Sequence, residues 1–359
     1  MSFSLGNSIV ITVAGASHSE SIDVSVKGLP KGEAVDIGAV NAFLKRRQGG
    51  GSSYTTARRE ADEPVIIQGL EDGALTGEPL VAQFANRNAR PGDYRKMRTI
   101  PRPSHADYTA YVKYGDSIDM SGGGFFSGRM TLPMCFAGAV CLQMLERRGI
   151  HVQAHILSAG GVTDRGFDPV SQEADKRADH TLPVLSGEAG DRMVSVMEAA
   201  SADGDSVGGC IECKITGLAA GIGDPIYDSV ESVISYGMFG IPAIKGIEFG
   251  EGFGVCSDYG SNSNDGFCIR DGRVSCITNN SGGIQGGITN GMPVIFRVAV
   301  KPTPSIYKPQ RSVDLEKMEE CELRIEGRHD ACIVPRVVPC IEAMAALMLA
   351  DMMSGEGML

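Results

Sequence analysis

Arg328, His329, Asp330 and Arg336 stand together just ahead of an apolar stretch with helical spacing. Fixed guanidinium charge beside groups that gain and lose protons is the chemistry of anion binding coupled to proton transfer, carried here on a rigid element. Four further regions offer related groups. The small-residue turn 15–20 presents His18 directly after the apolar run 9–13, where it is placed to hand a proton to a leaving group; the alternative is a surface histidine beside a turn. Lys45, Arg46 and Arg47 precede three glycines, with Arg58 and Arg59 beyond them, either clamping a polyanion or forming a solvated charged face. Arg102 and His105 lie in a segment stiffened by Pro101 and Pro103, a fixed charge beside a titrating group, unless this is an ordinary proline-rich loop. Gly122, Gly123 and Gly124 lead through Phe125 and Phe126 to Ser127 and Arg129 at a helix start, where amides, a hydroxyl and a guanidinium suit an anion. Last, the glycine pairs 282–283 and 286–287, followed by 301–306, let backbone lie against a ligand, or mark tight turns only.

These groups need elements to hold them. Residues 131–148 read as a helix, with Pro133 near its start, Phe136, Val140 and Met144 at four-residue spacing, and Gly149 after its end. Ile150, Val152, Ala154 and Ile156 alternate with polar residues as in a half-buried strand, which puts His151 and His155 on its polar side. A helix is expected from Asp224-Pro225 with Ile226, Val230, Val233 and Ile234 on one face, then strands at 243–249 and 294–300. The last helix runs from about Val338 to Met353, with a methionine-rich stripe that is most simply core. Strands and helices interleave irregularly, with no GxGxxG turn, so the fold class is α+β. No tether or low-complexity segment divides residues 1–359, which are read as one domain.

Bulk properties narrow the function. A formal net charge of -11 argues against nonspecific nucleic-acid binding, so an anion site must be a local basic pocket. The ten cysteines are scattered, and residues 1–48 lack an export signal, so reduced thiols and a cytoplasmic protein are expected, with no membrane partner. Cys210 and Cys213 have metal spacing but no second pair, and no metal is expected.

The ordered set of motifs resembles the chorismate synthase family along nearly the whole chain. The segment 327–344 matches the pattern GRHDxxxxPRxVPxxEAM, 102–107 is close to RPGHAD, and 280–291 and 301–306 follow NxGGIxGGIxNG and KPTxSI. Other segments match in part. Ser17-His18 keeps the core of GESHG, while Ala16 and Ser19 depart; Arg47 fits RRRPGxSRYTTxRRE, while Ser53 replaces an arginine. Against GGGRSSARET, Ser127, Arg129 and Thr131 match while Phe125 replaces an arginine and Met130 a glutamate; Pro242 departs from an NA pair kept at Ala243.

The resemblance implies a β-α-β three-layer sandwich with largely antiparallel sheets, a homotetramer, and reduced FMN as cofactor. It implies conversion of 5-enolpyruvylshikimate-3-phosphate to chorismate and phosphate by 1,4-anti elimination, the last common step towards the aromatic amino acids. His18 and His105 would be the acid–base groups, with Asp330 assisting proton removal. Arg47, Arg102, Ser127, Arg129 and Arg328 would bind substrate. Phe125, Phe126, Ser127, Pro242, Ala243, Gly286, Lys301, Pro302, Thr303, Pro304, Ser305 and Arg328 would contact the flavin, and Arg47 is also the position implied for NADP. An external flavin reductase is a possible partner, since no nicotinamide fold is evident. The departures leave open a flavin- or anion-binding paralogue without synthase activity, with Arg58, Arg59 or Lys96 as possible compensating charges, and a phosphosugar lyase without flavin.

Overall fold

Alternating side chains build the outer layers. In the second and third strands Ile11, Val13, Ile22, Val24 and Val26 are buried while the residues between them reach the other face, the period-two pattern of a sheet covered on one side. The computed structural model describes residues 1–50, 54–55, 61–86, 99–270, 272–325, 327 and 329–359. Its first half runs β1 (Ser2–Leu5), β2 (Val10–Gly15), β3 (Ser21–Lys27), α1 (Ile37–Lys45), β4 (Val65–Gln68), β5 (Leu70–Glu71), β6 (Ala74–Leu75), β7 (Leu80–Ala85), α2 (Asp107–Tyr114), α3 (Thr131–Glu146), β8 (His151–Ala159) and β9 (Val162–Thr163). Then follow α4 (Gly187–Ala202), β10 (Gly209–Thr216), α5 (Val230–Phe239), β11 (Ile244–Phe249), α6 (Gly260–Ser263), β12 (Phe267–Arg270), β13 (Arg273–Cys276), β14 (Ile284–Gln285) and β15 (Ile288–Thr289). The chain closes with β16 (Val294–Val300), β17 (Gln310–Asp314), β18 (Glu319–Leu323) and α7 (Val334–Gly355).

Two five-stranded sheets, β1-β2-β3-β7-β4 and β11-β16-β10-β8-β9, enclose a helical layer. Every strand pairing among the described residues is antiparallel, so the expected α+β sandwich is the architecture observed. Helix α3 packs on β2 and β3, α7 on β8 and β10, and the two helices pack on each other, with α1 flanking α3 and α5 flanking α7. Helices apolar on every side belong in such a middle layer. Both are long and apolar enough to cross a membrane, yet 78% and 89% of the two spans is buried inside the fold, which makes them core elements here. One cluster of buried apolar side chains runs from Ile9 to Met353.

Three local expectations change. Helix α5 opens at Val230, not at Asp224, because the Ser229 hydroxyl caps it by accepting the Ser232 N–H; Ile226 is exposed in a turn at φ 72°. Helix α7 opens at Val334, ahead of the expected start near Val338. Pro335 is tolerated in its first turn, and Pro339 costs only the one bond its missing N–H would have made to that turn. His155 is fully buried rather than on a wet face: its Nε2 lies 3.0 Å from Glu212 and its ring meets Phe167 edge-on.

Candidate active site

A cavity of about 930 Å³ opens where loops of the first sheet meet the N-terminal ends of α3 and α7 and the C-terminal end of α5. Its wall brings together residues far apart in sequence: His18, Arg47, Asp62, Arg102, His105, Phe125, Phe126, Ser127, Arg129, Ala243, Lys301, Asp330 and Arg336 among them.

His18 is held by its turn. The Ser19 hydroxyl donates to the Ala16 carbonyl at 2.9 Å and accepts the Ala16 N–H at 2.8 Å, and the Asn86 amide donates to the carbonyls of Ala16 and Ser19. Ser19, a departure from the family pattern, thus closes the turn with its own side chain. The three glycines pass between the two histidines. A Cβ on Gly122 would collide with the His18 ring, and one on Gly123 would lie 3.6 Å from His105 Nε2; all three have positive φ, which only glycine adopts without strain. Phe125 meets Phe3 edge-on at 5.4 Å, giving the rim an apolar patch where the family pattern has an arginine.

His105 belongs to a connected trio. Its Nδ1 lies 2.6 Å from Asp107 Oδ1, while Arg102 donates to the same carboxylate through Nε and Nη2 at 2.7 and 2.8 Å and through Nη1 to the Ser305 hydroxyl at 3.2 Å. Burial alone would raise the Asp107 carboxyl, but the hydrogen bonds and charges of Arg102 and His105 outweigh it and hold it well below the usual range. An ionised Asp107 accepts from Nδ1–H, which leaves Nε2 towards the glycine loop and the cavity. Lys301 donates to the Ser104 carbonyl at 2.9 Å, so the 301–305 segment is fastened to the 102–107 segment twice. Burial, then the nearby charge of Lys245, lowers the Lys301 pKa.

Arg47 and Arg129 share one counter-ion. Both donate to the buried carboxylate of Asp62, Arg47 at 2.5 Å, and Arg129 also reaches Asn86 Oδ1 at 2.9 Å. Asp62 sits at φ 54°, a region that Asp tolerates better than most residues. Across the cavity, Asp330 accepts from Arg336 Nη1 at 2.8 Å, and Arg336 Nε donates to the Arg47 carbonyl at 3.0 Å.

Most residues expected at a site therefore meet here. Pro302 and Gly286 do not line the cavity. Pro302 backs onto Gly208, and Gly286 sits in the β14–β15 turn beside Gly287, whose carbonyl accepts from Val230 at the opposite end of α5 from the cavity. Arg328, Ser53, Arg58, Arg59 and Lys96 lie outside the described residues. Cys210 and Cys213, three apart on β10, point to opposite faces of the sheet. Residues to which the sequence reading gave no role are Asp62, Asp107 and Cys340. Asp107 carried a usable signal, since it follows His105 by two positions in the same stiffened segment. Asp62 carried none, because an acidic residue in a charged run reads as solvated.

A sandwich of two antiparallel sheets around paired helices, with a basic, glycine-walled cavity and two poised histidines, defines an enzyme that holds a polyanion and moves protons around it. The chain belongs to the chorismate synthase family: the family model described as chorismate synthase matches residues 9–354. It is 45% identical to a chorismate synthase of Thermococcus gammatolerans over 96% of both chains. It is 40% identical to one of Lancefieldella parvula, covering 98% of this chain and 96% of that one. The fold is similar to that of a solved structure described as chorismate synthase, with a TM-score of 0.77 and 24% identity over 98% of this chain and 93% of the other.

Proposed function

We infer that this chain is a chorismate synthase, a carbon–oxygen lyase that converts 5-enolpyruvylshikimate-3-phosphate to chorismate and phosphate with reduced FMN. The observation that carries the reading is the convergence of His18, His105, Arg47, Arg102, Arg129 and Asp330, from segments spread across the chain, on one cavity of ligand size.

The residues fit a flavin phosphate and a substrate with two carboxylates and a phosphate. The buried Thr303 hydroxyl and Arg47 Nε lack a hydrogen-bond partner among the described residues, and both belong to cavity-lining side chains. Backbone at 122–128 and 301–305 with the rings of Phe125 and Phe126 would hold the flavin, alongside Ala243, which keeps a positive φ of 75° at the wall. Reduced FMN, when bound, would supply electron density to the allylic system for an elimination with no net redox change. This chain's own groups do the rest. Arg47 and Arg129 bind the phosphate and carboxylates, with Asp62 setting their spacing. His18, fixed against Gly122, protonates the departing phosphate. His105, oriented by Asp107, sets the protonation of the bound cofactor, and Asp330, steadied by Arg336, assists loss of the ring proton. Arg47 is also the position proposed for NADP. We place the enzyme in the cytoplasm as one domain over residues 1–359, acting as a homotetramer, with its flavin reduced by an external reductase.

The test is anaerobic incubation with chemically reduced FMN and 5-enolpyruvylshikimate-3-phosphate, following chorismate and phosphate together. Equimolar formation is expected. His18→Ala and His105→Ala should each lower turnover by about 100-fold or more while the variants still fold, as circular dichroism reads. Full turnover in both variants overturns the assignment.

A further inference from the structure

Beneath the cavity two cysteines meet that the proposed reaction does not use. Cys135 on α3 and Cys340 on α7 are both buried, and the Cys135 thiol donates to the Cys340 sulfur at 3.7 Å. Among the described residues no other pair of thiols is joined by a hydrogen bond. The pair sits where the helices come closest. A Cβ on Gly138 would overlap Ala343, and Gly138 and Ala343 each lie three residues beyond the cysteines on their helices. The helices therefore run in the same direction through the contact, with backbones close enough that χ1 rotation can bring one sulfur onto the other.

The two thiols are not equivalent. Cys340 lines the cavity, whereas Cys135 lies behind it. The hydrogen bond from Cys135, against the cost of burial and helped by Arg47, Thr131 and Arg336, lowers the Cys340 pKa, and the same hydrogen bond and burial raise that of Cys135. A cavity-lining thiol with a lowered pKa, hydrogen-bonded to a second thiol behind it, is the arrangement of a redox-active pair.

We propose that Cys135 and Cys340 form an oxidation site, closed to an intramolecular disulfide between α3 and α7 by hydrogen peroxide entering the active-site cavity. The Cys340 thiolate attacks peroxide, the O–O bond breaks, and the sulfur becomes a sulfenic acid as hydroxide leaves and takes up a proton. The Cys135 sulfur then attacks Cys340, its proton goes to the departing oxygen, and water leaves as the S–S bond forms. Two thiols have lost two electrons, and one peroxide has become two waters. The Cys340 thiol also donates to the Arg336 carbonyl at 3.4 Å, a bond the disulfide removes from the residue that holds Asp330.

The experiment treats the native full-length protein with hydrogen peroxide, blocks remaining thiols by alkylation in denaturant, and maps the peptides by mass. The expected result is loss of two of the ten thiols, with the α3 and α7 peptides recovered joined through Cys135 and Cys340 and separated by dithiothreitol. In Cys135→Ser the same treatment should leave Cys340 as a sulfenic acid that dimedone traps, with little trapping in the unsubstituted protein. If that variant does not fold, the map of the unsubstituted protein decides alone. Cys340 carried on to sulfinic or sulfonic acid with Cys135 still alkylated, or a link that forms only after unfolding, overturns the proposal.

Discussion

Charge pairing at single residues sets the character of the site. Asp107 and Asp62 are both buried, Asp62 held by two arginines and Asp107 by an arginine and a histidine, so each is expected to matter for stability apart from any role in turnover. The Asp107 carboxyl is depressed in the fold, so its stabilisation is fully present above the ordinary carboxyl pKa of about 4 and is lost as pH falls through the lower folded value. Asp107→Asn should therefore cost about 3 kcal/mol at pH 7, and the gap from the unsubstituted protein should close progressively below about pH 4. Urea unfolding at a series of pH values reads this; a gap constant down to pH 2 would show that the pairing is not the cause. Asp62→Asn keeps a residue that tolerates positive φ but leaves Arg47 and Arg129 without their carboxylate. A loss of about 3–5 kcal/mol is expected, and inorganic phosphate should raise the variant's Tm more than it raises that of the unsubstituted protein, because an added anion binds only the folded state. Equal shifts would mean that the arginines do not face a shared anion position. The sequence made the arginines and His105 legible as a type of chemistry, but not the acids that orient them. A counter-ion is defined by what folds against it, and Asp62 meets Arg129 across 67 residues of chain.

Elements were legible where local pattern and burial agreed. Residues 131–146 and 294–300 could be read directly, because an apolar period or an apolar run coincided with a fully covered position. The errors share a cause: tertiary contacts overrode a local sign. His155 breaks the alternation of β8 because Phe167 and Glu212 cover what would otherwise be its wet face, and α7 opens ahead of Val338 because the surrounding layer holds its first turn in place. The α3–α7 contact itself rests on one absent side chain. Gly138→Ala places a methyl on Ala343 and must push the helices apart. Alanine is the better helix former by about 1 kcal/mol, yet overpacking a tight core costs about 1–3 kcal/mol. The contact should win, giving a net loss of up to about 2 kcal/mol in urea titration; a stabilised variant would show that the helices separate freely at this point. The same spreading would distance Cys135 from Cys340, so this variant should also form the disulfide more slowly.

The surface of the whole molecule carries an apolar excess on one part of the chain. Tyr227, Tyr236, Phe239, Phe253, Tyr259, Phe267, Ile269, Val274 and Ile277 are all exposed, and all fall between 226 and 277, on α5 and the turn before it, the turns after β11 and the β12–β13 hairpin with the residue that follows it. Strand β11 is also an edge of its sheet, with β16 on one side only. Exposed aromatics and an open edge are costly for a lone chain, and their concentration here supports the proposed homotetramer with this region at its contacts. Ile269 and Val274 face each other across the β12–β13 pair, so they present one continuous apolar patch. Replacing Ile269 by Asp puts a charge into that patch and should cost about 2 kcal/mol per contact that buries it, about 30-fold in the association constant. The substituted position is exposed in the chain alone, so folding is expected to be retained. Light scattering over a dilution series, with circular dichroism to follow folding, decides the point: the unsubstituted protein should hold a tetrameric mass to lower concentration than Ile269→Asp. An unchanged mass at every dilution would remove the hairpin from the interface and leave the α5 face and the β11 edge to account for assembly.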